Sequence, residues 1–228
     1  MPDFAVIIPA AGGSTRFGGP RSKLLERVAG KPVLRHSIAA FARRSDVKMI
    51  VVAATAGPRS VRRHVPQSSF VIACDGGTCR AGSVRNALAC VPSDIEWVAV
   101  HDAARPLVSQ ELIDRTLAAA VAHGAAVAAM PVALTVRQAD GPLPARSQGV
   151  IPRDRLWAMQ TPQIMRRADL ARAFEECPLP LEQVTDDVQL LELIGREVWL
   201  VPGEEANLKV TTPLDLVIAQ TLWEQRSK

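Results

Sequence analysis

The most distinctive segment of this chain is residues 4–23, which read FAVIIPAAGGSTRFGGPRSK. The apolar run at residues 4–8 predicts a buried strand. The small residues after it predict a turn in which backbone N–H groups approach a phosphate closely. Arg16, Arg21 and Lys23 add positive charge to the same segment. We therefore expect an anion-binding loop at the end of the first strand.

Two common phosphate-binding motifs do not fit this loop. In the P-loop pattern a lysine follows the second glycine, but here Gly19 follows Gly18. The dinucleotide pattern G-x-G-x-x-G does not occur in the chain. The remaining pattern, A-A-G-G-S-T-R with a lysine seven residues later, is typical of nucleotidyltransferases, and a glycine-rich turn without a ligand is the alternative.

At 228 residues, of which 48% are hydrophobic, the chain is long enough to bury a sizeable core, and we expect one α/β domain over residues 1–228. No apolar stretch approaches the ~20 residues of a membrane helix, and the first residues lack a signal-peptide pattern, so we expect a cytoplasmic protein without membrane contact. The net charge is +4, but the basic residues are scattered among acids, which favours small anionic substrates over nucleic acid. The four cysteines have neither C-x-x-C nor histidine spacing and are expected to be plain thiols.

Strand-like runs alternate with helix-like segments along the chain. The runs lie at residues 4–9, 48–53, 70–74, 97–101, 125–132 and 197–201. This alternation predicts a mostly parallel, twisted sheet with helices on both faces. Pro32, Ser109 and the Thr212-Pro213 pair are residue types that begin helices. The stretches at residues 161–163 and 185–187 are interpreted as polar turns.

Residues 135–155 interrupt this alternation, because they are polar and rich in glycine and proline. Short extended runs flank the sequence DGPLP at residues 140–144. Such a segment is either a loop or a projecting β-arm that clasps a partner subunit, and an arm would explain its length.

Polar side chains also follow two later strands and precede the last helix. In the glycine-rich loop at residues 75–84, the backbone of Gly77 and Thr78 is positioned to read a base edge. After the fourth strand, Asp102 is positioned to hold a ribose hydroxyl or a metal ion, or else only fixes the turn through an ion pair with Arg105. Lys209 precedes the last helix, where a solvated charge is the alternative.

These segments contain no Ser–His–Asp or Cys–His relay, and His101 at a strand end is expected to be structural. A phosphate monoester is already anionic and attacks without a general base. Positioned cations and magnesium therefore suffice for a nucleotidyl transfer.

Six motifs together resemble those of the 2-C-methyl-D-erythritol 4-phosphate cytidylyltransferase family. They are AAGGSTRF with a following lysine at residues 10–23, DGGTCRAGSV at 75–84, VHDAARP at 100–106, QTPQ at 160–163, VTDD at 184–187 and NLKVTTP at 207–213. The third and sixth motifs are the most specific, and the resemblance covers essentially the whole chain.

The resemblance implies a Rossmann-like nucleotidyltransferase fold and a homodimer joined by an exchanged arm at about residues 134–156. It implies Mg²⁺-dependent transfer of CMP from CTP to 2-C-methyl-D-erythritol 4-phosphate, with release of pyrophosphate, in the non-mevalonate route to isoprenoids. The residues implied at the nucleotide are Ala10, Ala11, Gly12, Gly77, Thr78, Arg80, Ser83, Asp102 and Ala103. The residues implied in catalysis are Arg16, Lys23 and Lys209, and those implied at the acceptor are Arg105, Thr135, Arg153, Thr161 and Thr185. Asp102 is also the residue implied at the metal, which triphosphate oxygens would mostly hold.

The chain departs from the family pattern at three places. Ser22 and Leu24 replace a proline and a glutamine, Leu134 and Arg137 replace an aspartate and a lysine at the start of the arm, and Thr78 replaces an acid.

The alternatives are a ribitol 5-phosphate cytidylyltransferase, a nucleotide-sugar glycosyltransferase and a non-catalytic nucleotide-binding subunit. Two alanines after Asp102 argue against the D-x-D metal motif of glycosyltransferases, and the retained cations argue against a non-catalytic subunit.

Overall fold

A seven-stranded sheet lies between two layers of helices in the computed structural model, which describes residues 1–13, 17, 22–55, 60–66 and 68–226. The strands are β1 (Phe4–Pro9), β2 (Arg27–Val28), β3 (Lys31–Pro32), β4 (Val47–Ala54), β5 (Val71–Asp75), β6 (Trp97–Val100), β7 (Ala125–Pro131), β8 (Val136–Ala139), β9 (Ser147–Ile151), β10 (Trp157–Arg166) and β11 (Trp199–Pro202). The helices are α1 (Val33–Ala42), α2 (Arg80–Leu88), α3 (Gln110–His123), α4 (Arg167–Glu176), α5 (Asp187–Leu193) and α6 (Pro213–Arg226).

The strand order in the large sheet is β11-β7-β10-β6-β1-β4-β5. Strand β1 runs parallel to β4 and β6, β4 runs parallel to β5, and β11 runs parallel to β7. Strand β10 is antiparallel to both of its neighbours, β6 and β7. The predicted α/β fold with a mostly parallel sheet is confirmed, and the carboxyl ends of β1, β5 and β6 meet at one edge.

Alternating residues of β1 divide the core into its two layers. Phe4, Val6 and Ile8 pack on one face, where α1, α3 and α6 supply apolar side chains. Ala5 and Ile7 pack on the other face, with α2, α4 and α5. All five side chains are fully buried, so β1 is the centre of the molecule, as its unbroken apolar run predicts. In the described part of the chain, no helix is both long and apolar enough to cross a membrane.

The predicted helix starts are confirmed. Pro32 is the residue before α1, and α6 begins at Pro213. The Ser109 hydroxyl accepts a hydrogen bond from the Leu112 backbone N–H at 2.9 Å and so caps α3.

The interpretation of residues 161–163 as a polar turn is wrong, because they lie inside β10. The register of β10 against β7 shifts between Met159 and Gln163, so the strand bulges there. The bulge accommodates Pro162 and turns polar side chains toward neighbouring loops. Residues 185–187 were also expected in a turn, but Asp186 caps α5 and Asp187 is its first residue.

The segment expected as an arm contains β8 and β9, which form a separate two-stranded antiparallel sheet with Val136 opposite Ile151. Three apolar side chains of the segment are exposed, with Leu134 at 80%, Leu143 at 85% and Val150 at 55%. That this hairpin clasps a partner subunit stays a prediction.

The importance of β10 to the core gives a test of stability. Ile164 is fully buried in β10, whereas Ile218 on α6 is 41% exposed. Ile164→Ala should lower the free energy of unfolding by about 2–5 kcal/mol through lost burial and a cavity. The control Ile218→Ala should cost less than about 1 kcal/mol. Urea denaturation measures both, and equal losses would contradict this account of the core.

Candidate active site

A cavity of about 320 Å³ opens at the edge of the sheet where β1, β5 and β6 end. Its lining contains most of the residues predicted at the nucleotide and in catalysis, namely Ala10, Ala11, Gly12, Lys23, Gly77, Thr78, Arg80, Ser83, Asp102, Ala103 and Lys209. Segments distant in the sequence therefore meet at this edge, as the rule for parallel sheets predicts. Arg16 lies outside the described residues, so its predicted place is not tested.

The residues predicted at the acceptor are not brought together in the same way. Arg105 and Thr161 are buried beside Asp102, whereas Thr135, Arg153 and Thr185 are exposed side chains. The Arg153 guanidinium donates a hydrogen bond to the Ala133 carbonyl at the base of the hairpin. The acceptor roles of these five residues stay predictions.

Gly76 lies too close to the first glycine-rich loop, and Gly77 too close to the start of α2, for a side chain to fit. A Cβ added to Gly76 would lie 2.3 Å from the Ala11 Cβ, and one added to Gly77 would lie 2.5 Å from the carbonyl carbon of Gly82. The Ser83 hydroxyl holds the second loop, because it accepts from the Gly77 N–H at 3.0 Å and donates to the Cys79 carbonyl at 2.9 Å. This wall of the cavity is therefore shaped by backbone.

Asp102 is surrounded by three cations from three segments. Its Oδ2 atom lies 2.9 Å from Lys209 Nζ and 3.4 Å from Arg105 Nε, and its Oδ1 atom lies 3.3 Å from Arg80 Nε. Burial alone would raise the pKa of this carboxyl, but the charges of Arg80, Lys209 and Arg105 outweigh burial and hold the pKa well below its ordinary value. Asp102 is thus a fixed anion at the edge of a cationic cavity.

Beneath Asp102, a hydrogen-bonded chain fixes the state of His101. Its Nε2 atom lies 3.1 Å from the Arg105 carbonyl oxygen, which only accepts, so Nε2 carries the proton. The Thr161 hydroxyl therefore donates to Nδ1, at 3.1 Å, and accepts from the Asp102 N–H at 3.0 Å. Burial lowers the pKa of His101 to about 4, against the carbonyl hydrogen bond that raises it. A neutral, fully engaged imidazole supports the expectation that His101 is structural.

The Arg105 guanidinium is bonded to other groups of the protein. Besides Asp102, its guanidinium donates to the Asn207 carbonyl at 2.8 Å and to the Met159 carbonyl at 3.4 Å. Burial lowers the pKa of this group, although Asp102 opposes the shift. The ion pair with Asp102 considered from the sequence is therefore present, and it fixes the turn after β6.

Residues that the sequence reasoning missed hold the loops of the site in place. The side-chain amide oxygen Oε1 of Gln160 accepts from the Glu204 N–H at 3.2 Å and from Asn207 Nδ2 at 3.1 Å, which fixes the segment before Lys209. The side-chain amide oxygen Oε1 of Gln163 accepts from the backbone N–H groups of Asp187 and Val188 at 2.9 and 3.2 Å. Amide side chains inside an otherwise apolar run were the available signal.

The buried imidazole leads to a test of pH dependence. Between the ordinary histidine pKa of 6.5 and about 4, the unfolded chain binds a proton that folded His101 does not. The free energy of unfolding should therefore fall as the pH falls through this window, by roughly 3 kcal/mol from this group at most.

His101→Asn removes this titration and should show a shallower dependence. Urea denaturation at several pH values compares it with the wild type. Other titrating groups contribute to both proteins, so the difference between the two slopes reports His101, and identical slopes would contradict its neutral state.

The sequence was compared with protein families and with individual proteins of known function. Residues 4–225 match the family model for 2-C-methyl-D-erythritol 4-phosphate cytidylyltransferase. A protein of that name from Frankia casuarinae is 41% identical, over 97% of this chain and 81% of its own length. A bifunctional enzyme IspD/IspF from Desulfotalea psychrophila is 37% identical over 100% of this chain, which spans 58% of that relative.

The solved structures agree with the sequence relatives. The crystal structure of the Francisella tularensis 2-C-methyl-D-erythritol 4-phosphate cytidylyltransferase is similar, with a TM-score of 0.83 and 30% identity over 96% of this chain and 99% of that one. The chain therefore belongs to the 2-C-methyl-D-erythritol 4-phosphate cytidylyltransferase family.

Proposed function

We propose that this protein transfers CMP from CTP to 2-C-methyl-D-erythritol 4-phosphate, giving 4-(cytidine 5'-diphospho)-2-C-methyl-D-erythritol and pyrophosphate in isoprenoid biosynthesis. The observation that carries the proposal is the cavity in which both glycine-rich loops, Asp102, Lys23 and Lys209 meet, in a chain of this family. Because CTP is a cytoplasmic nucleotide, we also propose that the reaction takes place in the cytoplasm.

We propose that the nucleotide occupies this cavity with its base against the loop at Gly77 and Thr78. Two features support this orientation. Gly77 has no side chain and lets the backbone of the loop face the cavity, and the hydrogen bond from the Gly77 N–H to Ser83 holds the loop in place. The Asp102 carboxylate would then accept hydrogen bonds from the ribose, with Ala10, Ala11, Gly12, Arg80 and Ala103 around the remainder of CMP.

The chemistry that we propose is an in-line attack by the acceptor's phosphate oxygen on the α-phosphorus of CTP, with pyrophosphate as the leaving group. The attacking oxygen is already anionic and needs no base, which is consistent with the engaged state of His101. Lys23 and Lys209 line the cavity and would stabilise the charge that develops on the phosphates. Arg16 is proposed for the same role from the sequence alone.

We propose magnesium as the cofactor. Among the described residues, no group of three or more histidine, cysteine or acidic side chains could hold a metal ion, and Asp102 is the one carboxylate that lines the cavity. This donor set fits Mg²⁺, which proteins commonly bind through one or two carboxylates together with substrate phosphates and water. When bound, the ion would supply neutralisation of the triphosphate, and Asp102 would be its protein ligand.

We also propose that the protein is a homodimer in which the hairpin of β8 and β9 reaches the partner's site. The exposed apolar side chains of Leu134, Leu143 and Val150 support an interface there, since they are costly in water. Thr135 and Arg153 lie next to this hairpin and would meet the acceptor, which would explain why they are distant from the cavity within one chain. Arg105, Thr161 and Thr185 are the acceptor residues proposed on the body of the domain.

The catalytic role of Lys23 gives a direct test of the function. Lys23→Ala should lower turnover by a factor of about 100 or more while CTP affinity falls less, because the charge of Lys23 meets charge that grows in the transition state. The assay follows pyrophosphate release with Mg²⁺, CTP and either 2-C-methyl-D-erythritol 4-phosphate or ribitol 5-phosphate.

The control is Lys48→Ala, since Lys48 pairs with Asp3 at the opposite end of the sheet. It should keep wild-type turnover. If pyrophosphate is released only with ribitol 5-phosphate, that compound is the acceptor and the proposed acceptor is wrong. If Lys23→Ala loses CTP affinity by the same factor as turnover, the role of Lys23 in the transition state is wrong.

The arm gives a separate test of assembly. Leu143→Asp combined with Val150→Asp should convert the dimer into a monomer in sedimentation velocity and raise the KM for the acceptor, because charge disfavours burial at an apolar contact. Val121→Asp places the same charge on the exposed face of α3 and should leave the sedimentation unchanged. A wild-type protein that sediments as a monomer would overturn the dimer.

A further inference from the structure

Asp187 is a buried charge that the proposed chemistry does not use. It is the first residue of α5, and its side chain is fully buried. Its Oδ2 atom forms an ion pair with Arg80 Nη1 at 2.7 Å. Apart from this pair, neither carboxylate oxygen has a hydrogen-bond partner among the residues that the structure describes.

Neither helix capping nor stability accounts for this carboxylate. The start of α5 is capped by Asp186, which accepts from the Gln189 N–H at 3.0 Å, and by Gln163, which accepts from the first two N–H groups of the helix. A buried ion pair contributes little net stability, because the desolvation of two charges offsets their attraction, and apolar residues often serve as well. The role of Asp187 therefore depends on its ion-pair partner, Arg80.

That group is Arg80, whose guanidinium spans two carboxylates. Nη1 contacts Asp187 and Nε contacts Asp102 Oδ1, while the other Asp102 oxygen faces Lys209 and Arg105. The Arg80 side chain lines the cavity and is 27% exposed, so water is available to it as an alternative partner. The planar fork of arginine fixes direction as well as charge, and a second anchor behind it removes the freedom to swing into the cavity.

From this arrangement we propose that Asp187 is a positioning residue of the nucleotide site, which acts through Arg80 to fix the orientation of the Asp102 carboxylate. The proposal rests on the proposed function, because Asp102 is assigned there to the ribose of CTP. Asp187 itself lies outside the lining of the cavity. We therefore expect Asp187 to change the affinity for the nucleotide without contacting the nucleotide.

The test is the binding of CTP with Mg²⁺, measured by titration calorimetry without the acceptor. Asp187→Asn keeps the shape of the side chain and the backbone bonds to Gln163. We expect it to weaken CTP binding about tenfold, because a misoriented Asp102 would lose one charge-assisted hydrogen bond to the ribose. In an Arg80→Gln background the same substitution should weaken binding less than about twofold, because its effect passes through Arg80.

Asp186→Asn is the matched control. It changes the neighbouring carboxylate on the same helix, and asparagine caps helices as well as aspartate does, so CTP affinity should stay within about twofold of the wild type. A purely structural role for Asp187 predicts a loss of stability in Asp187→Asn while the affinity of the folded protein for CTP stays unchanged. The same factor in both backgrounds, or unchanged affinity in Asp187→Asn, would therefore overturn the proposal.

Two further outcomes are decided by the same series. If Asp187→Asn does not fold, Asp187→Glu carries the test, since glutamate keeps the charge but is one carbon longer and so displaces the Arg80 guanidinium from its place between the two carboxylates. It should weaken CTP binding about tenfold, and wild-type affinity would overturn the proposal. If the wild type binds no CTP, the proposed function fails and the role of Asp187 fails with it, whereas CTP binding that ignores Asp187 rejects this inference alone.

Discussion

Asp102 carries a negative charge into the edge of the core, and the surroundings of the cavity are organised by the need to compensate it. An ionised carboxylate without partners in such a place costs several kcal/mol. Arg80, Arg105 and Lys209 meet this need from the start of α2, the turn after β6 and the segment before α6. Because each of these segments also lines or borders the cavity, satisfying one charge fixes the geometry of the whole site.

Strand β10 connects this charge cluster to the rest of the molecule. It runs against the direction of β6 and β7, and its bulge lies beside Asp102. Thr161 supports the Asp102 backbone, while Gln160 and Gln163 each hold a loop, one before Lys209 and one at Asp187. A short stretch of β10 thus positions the Asp102 carboxylate, the segment that carries Lys209 and the start of α5, where Asp187 holds Arg80.

Much of the fold could be predicted from the sequence, since long apolar runs such as residues 4–9 and 125–132 leave little alternative to buried strands. The convergence of the glycine-rich loops with Asp102 followed from one rule about the edges of parallel sheets. Strand β10 could not be predicted in this way, because Gln160, Thr161 and Gln163 look like turn residues until their partners are known. Those partners lie far away in the sequence, so local patterns carry no record of them.

The acceptor half of the site shows the same limit. The family resemblance implies Thr135 and Arg153 at the acceptor substrate. Within one chain these residues lie on or beside an exposed hairpin, away from the cavity. The role proposed for these two residues depends on a partner subunit, and a contact with a partner leaves no trace in the hydrogen bonds of a single chain. Arg105, by contrast, is buried, and its guanidinium donates to two backbone carbonyls. Its position in the sequence does not show how many N–H donors are left for a ligand.

The order in which a ribosome makes this chain gives the Asp102 cluster a further consequence. Arg105 donates to the Asn207 carbonyl across 102 residues of sequence, and Lys209 follows just after that acceptor. During synthesis the central strands emerge with a carboxylate whose last partners have not yet been made. Arg80 and Arg105 are made well before Lys209, so the nascent domain holds this carboxylate with two of its three cations. The charge cluster is complete only when the segment around residue 209 has left the ribosome.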